Sequence, residues 1–150
     1  SKYIIQEQSE ILNTDKQFIE IFGKKITITS DTDEEIMIHL TFKQSVQIKE
    51  IALYGNNDQD LPSELQVFDG SIAFDKVKQL KPAYKGATNF KLGTSMHKIA
   101  LNQLTATSQI SLFIPGNKNG AEETSFSGFA VFGLENHAID VRGHKFGCGG

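Results

Sequence analysis

The feature that most constrains the fold is a run of acidic residues that leads directly into an alternating apolar segment. Four of the five residues from 31 to 35 are carboxylic acids, and large apolar side chains then alternate with other residues from Ile36 to Phe42. Alternation with a period of two is typical of a strand that buries one face. A slip of one residue would turn that whole face outward, so the register of the strand is well determined. The predicted inner face consists of Ile36, Ile38, Leu40 and Phe42, and the outer face of Met37, His39 and Thr41.

The rest of the chain repeats this pattern in short segments that are separated by turn residues. Residues 110–114 alternate before a Pro-Gly pair, and residues 125–133 are apolar on both faces, as in a central strand. The phase of the alternation changes between Ile48 and Ile51, as a bulge would produce. One short helix is predicted from Thr14 to Phe22, before the stop signal of Gly23. About eight short strands and this helix predict an all-β protein with an antiparallel β-sandwich.

Three local features complete the predicted organisation. Polar residues 43–45 predict a turn after the main strand, and residues 71–94 predict long connections with one strand near Phe90. The length of 150 residues predicts a single domain, 1–150. We expect the folded part of this domain to span about residues 12–134. Residues 135–150, which are rich in glycine and poor in apolar side chains, are expected to form a flexible tail.

Composition excludes several classes of protein. The single cysteine, Cys148, cannot form an intrachain disulfide, which favours a reducing compartment. The formal net charge is −3 and Arg142 is the only arginine, so we expect no nucleic-acid partner. No apolar run reaches the roughly 18 residues of a membrane span, and residues 1–8 lack the apolar region of a signal peptide. The chain opens on Ser1 and not on Met, which leaves two alternatives, a stand-alone protein and a processed or excised piece of a longer one.

Several side chains of this sequence could have a chemical or a structural role. No nucleophile motif surrounds a serine, and Cys148 lies in a glycine-rich terminus without a base beside it, so we expect no catalytic residue and no enzyme. His137, His144 and Cys148 supply at most three ligands of a zinc site, so we expect neither a bound metal nor a cofactor. His39 is expected to face solvent or a neighbouring side chain. Carboxylates are grouped at residues 31–35, at 58–60 and at 122–123, which leaves Ca²⁺ binding, carbohydrate binding and glycoside hydrolysis as alternatives.

Two stretches of this sequence resemble the signature of the PITH domain, the proteasome-interacting domain of thioredoxin-like proteins. The first combines residues 30–35 (SDTDEE), the alternating strand and residues 42–46 (FKQSV). The second is the run 119–133 (NGAEETSFSGFAVFG). Leu12-Asn13 and Val67-Phe68 also match short motifs of the family, whereas its middle segment is only loosely echoed here by residues 70–75.

The resemblance implies a jelly-roll β-sandwich similar to galactose-binding-like domains, and it implies no catalysis. It also implies a monomeric protein-protein interaction module that docks on the proteasome regulatory particle, in the cytoplasm and nucleus. The thioredoxin domain that usually accompanies a PITH domain is absent from this chain. A Ca²⁺- or carbohydrate-binding sandwich is the alternative. The predicted partner-binding residues are Asp31, Asp33, Glu34, Glu35, Glu122, Glu123, Arg142 and His144.

Overall fold

A computed structural model describes residues 3–24, 26–90, 96–136 and 145–149 of the chain. These residues form ten strands, one single-turn α-helix, α1 (Phe18–Ile21), and two 3-10 segments, Gln6–Gln8 and Phe74–Gln79. No helix in this part of the chain is long and apolar enough to span a membrane. The strands are β1 (Glu10–Leu12), β2 (Ile28–Thr29), β3 (Ile36–Tyr54), β4 (Glu64–Asp69), β5 (Tyr84–Ala87), β6 (Met96–Ala100), β7 (Thr107–Ile114), β8 (Ser125–Phe126), β9 (Gly128–Glu135) and β10 (Lys145–Gly149).

The 19-residue strand β3 organises the fold because it belongs to both layers. Its first half pairs with β1 and β7, and its second half pairs with β6 and β9. The first layer continues from β7 to β4 and β5, and the second continues from β9 to β10. Every pairing is antiparallel, and one cluster of buried apolar side chains contains residues from both halves of β3. The antiparallel jelly-roll sandwich expected from the sequence is therefore confirmed.

The predicted turn at residues 43–45 is wrong, because β3 runs through these residues without a break. The pairing of β3 with β7 instead shifts register between Thr41 and Val46. The bulge predicted between Ile48 and Ile51 is confirmed by a second shift, between Ile48 and Glu50, in the pairing with β9. The extra backbone that each bulge inserts bends the strand locally, which is consistent with one strand serving two layers.

Both faces of the first half of β3 are buried, which corrects the one-sided strand expected from the sequence. The predicted inner face lies in the main core, as expected. On the other face, Met37 is fully buried in a second cluster with Phe68, Val77 and Phe113. The 3-10 segment Phe74–Gln79 supplies Val77 to this cluster. A stretch that the sequence predicted as a plain connection is therefore a lid over the second face.

His39 lies on the same face and fastens two neighbouring segments to β3. Its Nδ1 is 3.0 Å from Oε1 of Glu10 in β1, and its Nε2 is 2.8 Å from the carbonyl oxygen of Ile72. This outcome agrees with the expected contact to a neighbouring side chain. The two ring nitrogens therefore connect β1 and the segment at Ile72 to β3.

The N-terminal helix is shorter than predicted. Only α1 is helical within the predicted range of residues 14–22. Thr14 forms a bridge with Ser30, and the amide of Asp15 donates to the carbonyl oxygen of Thr29, so the first predicted residues pair with another strand. Gln17 and Glu20 form the capping box that starts the remaining turn.

The middle and the end of the chain also differ from expectation. The strand of the middle region is β5, earlier than the predicted position near Phe90, while residues 91–94 lie outside the described residues. Of the predicted flexible tail, Lys145–Gly149 form β10, which pairs with β9. Residues 137–144 lie outside the described part of the chain.

Because His97 of β6 is buried, we expect the free energy of unfolding to fall measurably on mild acidification. Nδ1 of His97 lies 2.9 Å from the amide nitrogen and 3.3 Å from the carbonyl oxygen of Asn89, while the buried Nε2 has no partner among the described residues. Burial of the ring lowers the pKa of His97 below its ordinary 6.5, and the charge of Lys118 acts in the same direction. The unfolded chain therefore binds the proton first, and the free energy of unfolding falls as the pH drops below 6.5.

We expect the variant His97→Gln, whose side-chain oxygen can still accept from Asn89, to show a shallower decline. Urea unfolding of both proteins between about pH 7.5 and pH 5 measures the two slopes. Identical slopes would contradict this role of His97, and the difference between the proteins cancels the contribution of every other titrating group.

Candidate functional site

The structure joins two of the acidic stretches predicted from the sequence, the first acidic loop (residues 31–35) and the second acidic loop (residues 117–123). Fully buried Thr124 connects them, because its hydroxyl donates to the carbonyl oxygen of Glu34 at 2.7 Å. Its backbone amide donates to Oγ of Ser30 at 2.8 Å, and its carbonyl oxygen accepts from the Ser30 amide at 2.9 Å. The two loops are therefore held side by side on one edge of the sandwich.

Asn13 shapes the first acidic loop. Its φ of 62° lies in the left-handed region, which asparagine tolerates better than most residues. Its Nδ2 donates to Oδ1 of Asp33 and to the carbonyl oxygen of Glu35, both at 2.7 Å. Its Oδ1 accepts from the amide and the hydroxyl of Thr32, at 3.0 and 2.7 Å. One side chain from outside the loop thus fixes three of its five residues.

Asn117 has the same role in the second acidic loop. Its Oδ1 accepts from the amide of Ala121 at 2.8 Å, and its Nδ2 donates to the carbonyl oxygen of the same residue at 2.9 Å. Nδ2 also lies 3.2 Å from Oγ1 of Thr124, the residue that links the two loops. Asp60, from the third acidic stretch, is tied to this loop through a 2.8 Å hydrogen bond from Asn119. Loops held by internal hydrogen bonds lose little conformational entropy when they bind.

The predicted carboxylates divide into two groups. Asp33 accepts from Asn13 and from the amide of Glu35, so it stabilises the loop. The side chain of Glu35 is only 14% exposed and pairs with Lys78, and the hydrogen bond and charge of Glu35 raise the pKa of Lys78. Among the described residues, no cation lies within ion-pair distance of the remaining four carboxylates. These four are Asp31, Glu34, Glu122 and Glu123.

A cleft of about 430 Å³ opens between the two loops. The side chains of Glu34, Glu64, Asn117 and Glu122 line it, and none of its lining residues is aromatic. No group of three or more His, Cys, Asp or Glu residues that could hold a metal ion occurs within the described ranges. The chemistry of the cleft is therefore that of carboxylates and amides, which attract cationic groups and accept hydrogen bonds.

Two predicted residues cannot be placed, and several important ones were not predicted. Arg142 and His144 lie outside the described residues, as does His137 of the three-ligand zinc alternative. The sequence did not indicate the roles of Asn117 and Thr124. The sequence pointed to Asn13 only as part of a short family motif, although an asparagine between two patterned segments is a recognised signal for a left-handed turn.

Comparisons with known proteins identify the family from the sequence and support the fold from the structure. The sequence model of the PITH domain matches residues 1–142. No curated protein matches the chain. Among solved structures, the third family 32 carbohydrate-binding module of a family 31 glycoside hydrolase from Clostridium perfringens is similar, with a TM-score of 0.60 and 7% identity over 88% of this chain and 96% of that one.

Two further structures have the same architecture. A fucose-binding module from Streptococcus pneumoniae has a TM-score of 0.54 and 12% identity over 83% of this chain and 91% of that one. The family 32 carbohydrate-binding module of NanJ from C. perfringens, in complex with galactose, has a TM-score of 0.55 and 6% identity over 86% of this chain and 97% of that one. At such low identity these likenesses establish the jelly-roll fold alone.

Proposed function

Because the chain belongs to the PITH domain family, we propose that it is a non-catalytic interaction module that docks on the regulatory particle of the proteasome. The observation that carries this proposal is the pair of joined acidic loops. Four carboxylates that form no ion pair among the described residues stand on this hydrogen-bonded edge of the sandwich. A partner with clustered lysines or arginines complements such an edge.

The physical contribution of these carboxylates is mainly to the rate and specificity of association. Charges at the rim of an interface steer the encounter and disfavour partners of like charge. The Asn13 and Asn117 networks hold the loop backbones in place before binding. The interaction should consequently weaken as the salt concentration rises, because screening shortens the reach of exposed charges.

Neutralising the first acidic loop is expected to reduce proteasome capture. We expect the double variant Asp31→Asn/Glu34→Gln to capture roughly tenfold less regulatory particle from lysate at low salt, because steering is lost. The matched control is Asp58→Asn/Asp75→Asn, which removes the same charge from exposed residues outside both acidic loops. Quantitative mass spectrometry of proteins retained by the immobilised domain measures the effect.

Two results would contradict the proposal in different ways. If the wild-type domain enriches no proteasome subunit at low salt, docking on the proteasome is wrong. If both double variants capture the same amount of regulatory particle as wild type, the chain binds the proteasome but the first acidic loop does not contribute to binding.

A carbohydrate- or Ca²⁺-binding role is the second candidate function. It is favoured by the fold, which this chain shares with a module solved in complex with galactose, and by the acidic cleft between the loops. The absence of an aromatic side chain from the lining argues against the carbohydrate role, since aromatic rings bury a large apolar area when they bind a ligand. No group of three or more possible metal ligands among the described residues supports the Ca²⁺ role. A glycan array and calorimetry with Ca²⁺ test this candidate function, and an absence of binding in both experiments would exclude it.

A further inference from the structure

A second groove, formed by other residues, opens between the N-terminal segment and α1. Its volume is about 540 Å³, and Lys43 of β3 closes one side. Its apolar lining includes Ile4, Ile11 and Phe18, which are buried members of the main core. The groove therefore gives a ligand direct access to the edge of the hydrophobic core, a surface that a partner could extend.

Ile19 lies on the wall of this groove and points an aliphatic side chain into solvent. It is 68% exposed, and the only other large hydrophobic side chain exposed in the described part of the chain is Leu80, at 46%. Leu80 does not line the groove. Single exposed apolar residues are ordinary, but one beside an apolar cavity adds to a continuous binding surface.

The backbone beside the groove belongs to an edge strand in the described part of the chain. Glu10 and Ile11 of β1 line the groove, and β1 pairs with β3 on one side only among the described residues. Such an edge strand presents amide and carbonyl groups that can pair with an added strand. Peptide recognition by strand addition combines these main-chain bonds with pockets for alternate side chains.

The charges of the lining select the kind of partner. Among the described residues that line the groove, Glu7 and Glu10 are carboxylates and Lys43 is the only cation, and Glu20 follows Ile19 in α1. One oxygen of Glu10 contacts His39, while its side chain remains 56% exposed. We propose that this groove binds an extended segment of a partner protein that carries aliphatic side chains flanked by lysine or arginine.

A synthetic peptide of that chemistry tests the proposal with the whole chain. We expect the fluorescein-labelled peptide Lys-Leu-Thr-Leu-Thr-Leu-Lys to bind saturably, and to shift the amide resonances of Ile11 and Ile19 in NMR spectra. The variant Ile19→Asp should weaken binding by about tenfold or more, as loss of a central anchor does. The matched control Leu80→Asp, at the other exposed hydrophobic residue, should leave the affinity within about twofold.

A charge-reversal variant tests the electrostatic part separately. Glu7→Lys should weaken binding of the lysine-flanked peptide, because like charges repel across an interface. The same variant should strengthen binding of a peptide that has glutamate in place of both terminal lysines. Glu7 and Ile19 are both exposed, so thermal unfolding should show that these variants remain folded.

Three outcomes would overturn the proposal. They are an absence of binding by the wild-type chain, equal losses in Ile19→Asp and Leu80→Asp, and a dimer of the free chain that Ile19→Asp dissolves. The last result would assign the groove to a second copy of the chain. None of these measurements involves the acidic loops, so failure here and failure of proteasome docking are distinguishable.

Discussion

Replacing Met37 by alanine is expected to lower the free energy of unfolding by about 2–5 kcal/mol, as much as replacing Ile38 by alanine. The two side chains point to opposite faces of β3, and both are 0% exposed. Met37 packs with Phe68, Val77 and Phe113, so its truncation leaves a cavity in a closed cluster. Urea unfolding of the two variants and wild type measures the comparison.

The matched control for this experiment is Ile19→Ala. Ile19 is 68% exposed, so the same kind of truncation should change stability by no more than about 0.5 kcal/mol. Suppose that Met37→Ala changes the free energy of unfolding as little as Ile19→Ala does, while Ile38→Ala is strongly destabilising. The second face of β3 would then be exposed, and the 3-10 segment would not cover it.

The difference between Met37 and Ile38 shows what the sequence can predict about this fold. Alternation identified the inner face of β3 and the phase change near Ile48, because both are properties of the strand itself. The cover of the outer face comes from residues 68, 77 and 113, which are distant in the chain and carry no common pattern. Only the assembled topology brings them over Met37.

The wrong turn at residues 43–45 has a related cause. Lys43 is exposed, and Gln44 and Ser45 are half-buried, at the point where β3 shifts register and leaves one layer for the other. A bulge and a turn both interrupt an apolar pattern with polar residues, so local composition cannot distinguish them. The alternation that resumes at Val46 was the available signal that the strand continues.

The structure brings the acidic residues selected from the sequence together and shows that they differ in their contacts. Sequence reasoning selected the acidic residues of both loops, and the structure places the two loops side by side. The sequence alone could not distinguish the structural carboxylates Asp33 and Glu35 from the others, because their structural role depends on contacts with Asn13 and Lys78. Both partners lie at least twenty residues away from the carboxylate that they bind.

Several residues that carry the family resemblance turn out to build the junction between the loops. Ser30, Asp33 and Thr124 belong to the matching motifs, and each is committed to hydrogen bonds within the protein. These motifs therefore explain why the edge has its shape. In the proposed complex, specificity should depend instead on the neighbouring carboxylates that face solvent, including Asp31 and Glu123, which are both exposed.

Replacing Asn13 by alanine is expected to lower the free energy of unfolding by about 2–4 kcal/mol, because several hydrogen bonds are lost and alanine disfavours a positive φ. Asn13 has a φ of 62°, and its amide group contacts Thr32, Asp33 and Glu35. The control Asn13→Gly removes the same hydrogen bonds and accepts the backbone conformation, so it should be less destabilising by about 1 kcal/mol. Urea unfolding separates these two contributions.

The same variants connect the shape of the first acidic loop to docking. Amide hydrogen exchange at Thr32 and Glu35 should accelerate in both variants, since the amide of Thr32 loses its acceptor and the Asp33 side chain that holds the Glu35 amide loses its own donor. Asn13→Gly, compared at a temperature where it is fully folded, should capture less regulatory particle than wild type although every carboxylate is retained. Unchanged exchange would show that the loop is held by other contacts. Unchanged capture by a loop that does exchange faster would show that its charge matters for docking and its fixed conformation does not.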